Sequence, residues 1–220
     1  SHFQFIDYFK NNHAYSAVDP RGEYLNIIID ENDENAYWSK ATNTMTFGIG
    51  EGFIAKSGLS LAAAKDVVGH ELTHGVIEAS SGLLYEKQSG ALNESFADFF
   101  GAMIDDANWT IGEDLESPTG KPLRNLADPS NALSPQPMHF DYYVSLPANR
   151  ENDWGGVHLY SGIPNKALYM LAEGLSENGA GNSIGKQKTA NLAFKTMIGL
   201  TPRADFNDAA EFMTNLSSVE

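Results

Sequence analysis

The stretch VVGHELTHGVIEAS, residues 67–80, places His70 and His74 four residues apart, with Glu71 beside the first histidine. On an α-helix, residues four apart lie on one face, about 40° apart around the axis and about 6 Å apart along it. Both imidazoles can therefore be directed at one ion, and histidine nitrogen is a favoured zinc ligand. Glu71 is rotated about 100° from His70, so it reaches the flank of that ion, where a general base could accept a proton from water.

The two histidines could bind a metal, or they could lie on an ordinary helix and be satisfied by hydrogen bonds. A third ligand would favour the metal site. A catalytic zinc takes three protein ligands and keeps one position open. Glu94 follows His74 by twenty residues on a second predicted helix, and Asp98 is one turn further on the same face. The short connection SSGLLYEKQSG (80–90) lets the two helices pack antiparallel, which can bring Glu94 beside the histidines. Asp98 can then receive the free ring N–H of a ligating histidine. The alternative, a solvated acidic face, is weakened because the helix is rich in phenylalanine.

Composition limits the possible partners. The chain has 220 residues, is 42% hydrophobic and carries a formal net charge of −15 without a long run of like charge. This size allows a substantial core, as one unit or as two lobes that share a cleft. The acidity argues against nucleic acid and anionic membrane as partners, and it suits cation binding. There is no cysteine, which excludes disulfides and thiolate chemistry.

No targeting or spanning segment is evident in the sequence. No apolar run approaches the roughly 20 residues that span a bilayer. The sequence starts at Ser1 without a signal peptide, so we expect that any targeting segment was removed or lies outside it.

The secondary-structure pattern changes near residue 58. Before it, FQFIDYFKNN (3–12) predicts a helix, and YLNIIID (24–30) and NTMTFGIG (43–50) predict strands. After it, the periodicity predicts helices over 59–82, 89–106, 161–177, 183–200 and 206–218, with a loop-rich segment over 107–156. We therefore predict an α+β fold with a partial β-containing N-terminal lobe over 1–58 and a helical catalytic lobe over 59–220.

Three segments resemble the thermolysin-like family of zinc metalloendopeptidases, namely VVGHELTHGV, GLLYEKQSGALNESFAD and WGGVHLYSGI. The resemblance implies a small β-containing N-terminal lobe, a mainly helical C-terminal lobe and a zinc helix at the floor of the cleft between them. It implies that His70, His74 and Glu94 bind zinc and that Glu71 is the catalytic carboxylate, with Asp98 supporting a zinc-bound histidine. The activity it implies is hydrolysis of peptide bonds by a zinc-bound water that Glu71 activates.

The resemblance also assigns groups that face the tetrahedral intermediate. These are Tyr85 and His158, and Asp153 orients His158. Both groups can donate hydrogen bonds to a developing oxyanion. In isolation, Tyr85 could equally be a packed aromatic residue and His158 a structural histidine. Gly155 and Gly156 ahead of His158 predict a close approach of the backbone.

Further residues are implied to contact the substrate. Asn35 and the backbone of Ala36 hold its main chain, and Arg124 braces the pocket for the residue after the scissile bond. The candidate walls of this pocket are apolar, with Phe53 the least securely placed; they are Val67, Ile111, Leu115, Leu123 and Phe53. They predict cleavage on the amino side of bulky hydrophobic residues, although Val67 and Leu115 could be ordinary core residues.

A calcium cluster is implied more weakly. Asp66, Asp105 and Glu113 match the clustered carboxylates that hold calcium in the family, and oxygen ligands suit calcium. Asn108 and Thr110 stand where the two-ion version carries carboxylates. We expect at most one calcium ion. If none binds, the acids pair with lysine or share a proton.

The ends of the sequence depart from the family pattern. Family members carry a longer N-terminal lobe and a further C-terminal helical segment, so we expect this sequence to be shortened at both ends. The resemblance implies a secreted enzyme that acts on peptide or protein substrates, with its own propeptide or a missing N-terminal segment as a partner.

A catalytically silent peptide-binding relative and a calcium-stabilised structural module stay open as alternatives. The presence of Glu71, Tyr85 and His158 disfavours the first, and the spacing of Glu94 disfavours the second.

Overall fold

The computed structural model describes residues 2–15, 25–174 and 183–218, and it begins with one helix and a small sheet. Helix α1 (His2–His13) precedes the strands β1 (Asn26–Asp30), β2 (Ala36–Ser39) and β3 (Thr44–Gly48). The central strand β3 is buried, and it pairs in parallel with β1 and antiparallel with β2. The outer side of β2 has no strand partner among the described residues. The prediction of strands near 24–30 and 43–50 is confirmed from residue 26 onward, whereas residue 24 lies outside the described residues and β2 was not predicted.

The rest of the described chain is mainly helical. Its helices are α2 (Lys65–Ala79), α3 (Lys87–Asp105), α4 (Asp153–Tyr160), α5 (Gly162–Glu173), α6 (Lys186–Gly199) and α7 (Phe206–Ser217). Between α3 and α4, short turns surround one antiparallel pair, β4 (Thr110–Ile111) with β5 (Arg124–Asn125). The predicted α+β fold, with a small sheet ahead of a mainly helical part, is confirmed. Within the described ranges, the structure contains no helix with the length and apolarity that crossing a membrane requires.

The helix predicted over 59–82 is interrupted. Residues 61–63 form a short 3-10 turn, and the Ser60 side chain caps it by accepting the backbone N–H of Ala62. Ala64 is then extended, with φ −86° and ψ 119°, so α2 begins only at Lys65. The helical periodicity of the alanine-rich stretch concealed this break. Similarly, the helix predicted over 161–177 ends at Glu173, and residues 175–177 lie outside the described residues.

Helices α2 and α3 approach closely because glycines lie at their contact. A Cβ on Gly101 would lie 2.6 Å from the backbone oxygen of Asp66, which is closer than van der Waals contact allows. A Cβ on Gly69 would lie 3.1 Å from the flexible end of Ile104 and 3.2 Å from Cα of Gly101. Around this contact the core is built from fully buried side chains such as Leu72 and Phe99. The distance between the two helices is therefore set by direct contact of their backbones at these glycines.

We predict that Gly101→Ala lowers the free energy of unfolding by about 1–3 kcal/mol, because the new methyl group must push α2 away. This loss should exceed the helix-propensity gain of about 1 kcal/mol from replacing glycine. Gly69→Ala is the matched control on the facing helix, and its loss should be smaller because its nearest contacts are longer, at 3.1–3.3 Å against 2.6 Å. Urea denaturation of both variants measures the difference. A Gly101→Ala protein as stable as the Gly69→Ala protein would contradict the close contact.

Candidate metal centre and cleft

A cleft of about 690 Å³ lies between the β2 edge and helix α2. Most of the residues predicted to act on a substrate or a metal line it; they are Asn35, Ala36, Val67, His70, Glu71, His74, Tyr85, Glu94, Ile111, Leu123, Arg124 and His158. Asp98 and Asp153 do not line it and contact lining residues from behind. The fold thus brings together residues that lie far apart in the sequence.

Three side chains at the floor of the cleft converge on one point. The Nε2 atoms of His70 and His74 lie 3.0 Å apart. The Glu94 carboxylate oxygens lie 3.6 Å from Nε2 of His70 and 3.4 Å from Nε2 of His74. Among the described residues this is the one group of three or more whose donor atoms gather closely enough for a metal, all within 4.8 Å. Two imidazoles and a carboxylate are a donor set that suits zinc, so the residues fit that ion.

The second nitrogen of each histidine has a defined neighbour. Nδ1 of His70 lies 2.9 Å from Oδ1 of Asp98, an ion-pair distance without the alignment of a full hydrogen bond. Nδ1 of His74 donates to Oδ1 of Asn93 at 2.7 Å, since the Asn93 amide nitrogen is engaged by the backbone oxygen of Leu83. Both contacts place the ring proton on Nδ1. They leave the Nε2 lone pairs free to face an ion.

Asp98 connects His70 to two further elements. Its Oδ1 also accepts from Nε of Arg124 at 2.7 Å, and its Oδ2 accepts from the Asn165 amide at 2.9 Å. Arg124 reaches Glu94 as well, with Nη2 at 3.7 Å from the carboxylate. The guanidinium is buried yet lines the cleft, so it can brace both the carboxylates and the pocket.

Burial and neighbouring charges together set the protonation of the ionisable groups in the cleft. Burial raises the pKa of Glu71 to about 7, close to the value that suits a general base at neutral pH. Burial lowers the pKa of His74 to about 4, which keeps the ring neutral and able to ligate. Burial alone would raise the pKa of Glu94, but the charges of His158, His74, His70 and Arg124 outweigh it and hold that pKa below its ordinary range. Glu94 is therefore an anion inside the protein.

The segment before His158 has an unusual backbone. Four consecutive residues, 153–156, have positive φ values between 52° and 97°. A Cβ on Gly155 would lie 2.8 Å from the Lys87 side chain, so the predicted close approach at this glycine is confirmed. The turn brings the Asp153 carboxylate onto His158, whose Nδ1 lies 2.6 Å from Oδ1 and whose backbone N–H donates to Oδ2 at 2.7 Å.

The other nitrogen of His158 faces the metal ligands. Its Nε2 lies 3.1 Å from the Tyr85 hydroxyl and 3.4 Å from Oε1 of Glu94. Tyr85 itself donates a hydrogen bond to Oε1 of Glu94. Burial alone would lower the pKa of His158, but Glu94 and Asp153 outweigh it and raise that pKa. Two side chains that can donate hydrogen bonds, a phenol and an imidazole, therefore lie beside the point on which the three ligands converge.

Two of the predicted pocket walls lie elsewhere. Leu115 is fully buried in the core and does not line the cleft, because the turn over 113–115 points it inward. Phe53 is 68% exposed and does not line the cleft either. Val67, Ile111 and Leu123 do line it. The apolar wall is therefore smaller than the sequence suggested.

Among the described residues, the carboxylates matched to calcium do not form a group whose oxygen atoms gather closely enough to hold a metal. Asp66 accepts the backbone N–H groups of Val67 and Gly112 at 2.7 and 2.6 Å, and burial raises its pKa to about 7. A hydrogen bond joins Asp66 to Glu113, which sits among the Asn108 and Thr110 side chains. Asp105 instead pairs with Lys65 at 3.6 Å. This is the arrangement expected of acids that pair with lysine or share a proton.

Three buried amides of the site were not predicted. Asn93 and Asn165 hold His74 and Asp98, and Gln136 donates to the His158 backbone oxygen at 2.6 Å. The one available signal was that Asn93 is a polar residue beside Glu94 on a phenylalanine-rich helix. Gln136 lies in the loop-rich segment, where no periodicity marks a buried side chain.

Family models cover nearly the whole chain. Residues 2–78 match the catalytic domain of thermolysin metallopeptidases, and residues 81–219 match their alpha-helical domain. The chain is similar to a zinc metalloproteinase of Listeria monocytogenes, with 41% identity over 92% of this chain and 38% of that protein. It is 38% identical to an extracellular elastase of Staphylococcus epidermidis, again over 92% of this chain and 38% of the relative. The chain therefore spans little more than a third of the length of these relatives.

A solved structure shares the fold. The precursor of protealysin, a metalloproteinase from Serratia proteamaculans, superimposes with a TM-score of 0.82 at 32% identity, over 99% of this chain and 70% of that one. The two family models and this structural match agree on the family. The chain belongs to the thermolysin family of metallopeptidases.

Proposed function

We propose that this protein is a zinc-dependent endopeptidase. The observation that carries the proposal is the convergence of His70, His74 and Glu94 on one point of a cleft, beside a buried Glu71. A binding module would not need a carboxylate whose pKa lies near 7 at this position, whereas a hydrolase uses it. The relatives named above are proteases, which agrees with this reaction class.

Each residue around the ligands has a distinct role in this proposal. Zinc held by His70, His74 and Glu94 supplies a Lewis acid that polarises the peptide carbonyl and lowers the pKa of water. Glu71 removes a proton from the attacking water and delivers it to the nitrogen of the leaving amine. Asp98 and Asn93 keep the two histidines in the tautomer that ligates, through their contacts with the Nδ1 atoms.

Tyr85 and His158 stabilise the charge that develops on the substrate. As the carbonyl carbon becomes tetrahedral, its oxygen gains negative charge, and both side chains can donate to it. Their mutual distance of 3.1 Å allows both to reach one oxygen atom. Asp153 keeps the imidazole oriented and favours its charged form, since the carboxylate lies on the opposite nitrogen.

The substrate main chain pairs with the free side of β2. Asn35 and Ala36 line the cleft at this edge, and an extended peptide can add to it as a further strand. Val67, Ile111 and Leu123 offer an apolar wall near Arg124. We infer that the enzyme cleaves on the amino side of bulky hydrophobic residues.

The proposal also covers calcium binding, the location of the enzyme and its partners. At most one calcium ion would bind at Asp66, Asp105 and Glu113, and the pairing of Asp105 with Lys65 favours none. Secretion is supported by the extracellular relative from Staphylococcus epidermidis. A propeptide or other N-terminal segment is a candidate partner, because the structural relative is a precursor.

We predict that Glu71→Gln abolishes peptide hydrolysis by several orders of magnitude and leaves zinc stoichiometric. The amide keeps the shape of the side chain but cannot accept the proton, and the three ligands are unchanged. Initial rates on a peptide substrate and metal analysis of the same sample test this. Near-normal turnover in the variant would show that Glu71 is not the base.

We also predict that Asp98→Asn weakens zinc retention by about 10- to 100-fold while the fold stays intact, because an amide raises the basicity of the His70 ring less than a carboxylate does. Competition with a chromogenic chelator measures the affinity. Asp153→Asn is the matched control, since it makes the same change beside a histidine that is not a ligand. Equal zinc affinity in the Asp98→Asn and unmodified proteins would remove Asp98 from the metal site.

A further inference from the structure

A buried glutamine joins the loop-rich segment to the backbone of His158. Gln136 is 5% exposed and lines the cleft, although it lies more than twenty residues from His158 in the sequence. Its Nε2 donates to the backbone oxygen of His158 at 2.6 Å and to Oγ of Ser161 at 2.8 Å. Its own backbone N–H donates to the oxygen of Pro129 at 2.8 Å, which fixes the start of the side chain.

The His158 backbone lacks support on its N-terminal side, because the residues before Val157 are not helical. The four residues before Val157 are left-handed, so helical hydrogen bonds do not hold His158 from its N-terminal side. Asp153 fixes the imidazole ring, as its carboxylate contacts both Nδ1 and the backbone N–H of His158. Gln136 holds the opposite end of the same residue, its carbonyl group.

The Gln136 amide is not needed merely to give the His158 carbonyl a hydrogen-bond partner. The Ser161 hydroxyl also donates to the His158 oxygen, at 3.1 Å, so the carbonyl would have a partner without the amide. The amide is retained although its Oε1 is buried and has no hydrogen-bond partner among the described residues, which costs stability. Gly162 makes room for the side chain, since a Cβ there would lie 2.5 Å from Cβ of Gln136.

We propose that Gln136 is a positioning residue that sets how far His158 reaches towards Tyr85 and Glu94. It acts through the backbone of His158, because its side-chain amide donates to the His158 oxygen and to Ser161. The proposal rests on the proposed peptidase function, in which His158 donates to the oxyanion. A displacement of about 1 Å at such a donor is enough to cost about 100-fold in rate.

The test uses the zinc-loaded full chain with Gln136→Met, which keeps the length of the side chain and removes its hydrogen bonds. We expect kcat to fall about 10- to 100-fold, while KM for a peptide and the zinc content stay unchanged. Thr189→Val is the control, since it removes a partly buried bond from a side chain on α6 to the backbone oxygen of Gly185, away from the cleft. It should leave kcat unchanged. Gln136→Asn, whose amide is one methylene shorter, serves if Gln136→Met does not fold.

A second readout does not depend on proteolysis. The proton in the 2.6 Å contact between His158 and Asp153 should give a downfield NMR resonance. We expect Gln136→Met to shift this resonance and Thr189→Val to leave it in place. An unchanged resonance, or an unchanged kcat in a folded Gln136 variant, would overturn the positioning role. If the unmodified protein fails to cleave peptides, the peptidase proposal fails, and the resonance alone decides the role of Gln136.

Discussion

The close contact between α2 and α3 is the constraint on which the site depends. Glu94 is 0% exposed on α3, and it meets the two histidines of α2 only because glycine backbones let the helices approach. A charged carboxylate buried this deeply is stable only when other charges compensate it. Hydrophobic packing around Leu72 and Phe99 provides the force that holds the helices at this separation. Core packing and ligand geometry are therefore set by the same interface.

Three buried carboxylates lie close to one buried guanidinium in the cleft. Glu71, Glu94 and Asp98 are all buried, and Arg124 is the buried cation that contacts two of them. Asp98 is satisfied by Arg124 and by the Asn165 amide, whereas Oε2 of Glu94 has no hydrogen-bond partner among the described residues. A divalent cation at the point where the ligands converge would complete the charge balance. It would also lower the pKa of Glu71 and make that residue a stronger candidate for a base that is ionised near neutral pH.

The sequence predicted the centre of the site better than its surroundings. His70 and His74 follow from helical spacing, because the period of a helix fixes which side chains share a face. Glu94 lies on the next helix, and it was a candidate because the short connection lets the two helices pack antiparallel. The break at Ala64 and the strand β2 were missed, since an alanine-rich run looks helical and a four-residue edge strand has little periodicity. The buried position of Leu115 and the amide of Gln136 depend on how the loops fold over the helices. Those contacts are tertiary, and no local pattern in the chain encodes them.

The most direct test of the account is the zinc content of the purified chain, measured together with peptide hydrolysis before and after treatment with phenanthroline. The account predicts one zinc ion per chain, loss of hydrolysis when the chelator removes it, and recovery when zinc is returned. The His74→Ala protein should hold no zinc at this site and should not recover. Hydrolysis that persists in the fully zinc-free protein, or a full zinc complement in His74→Ala, would contradict the central claim.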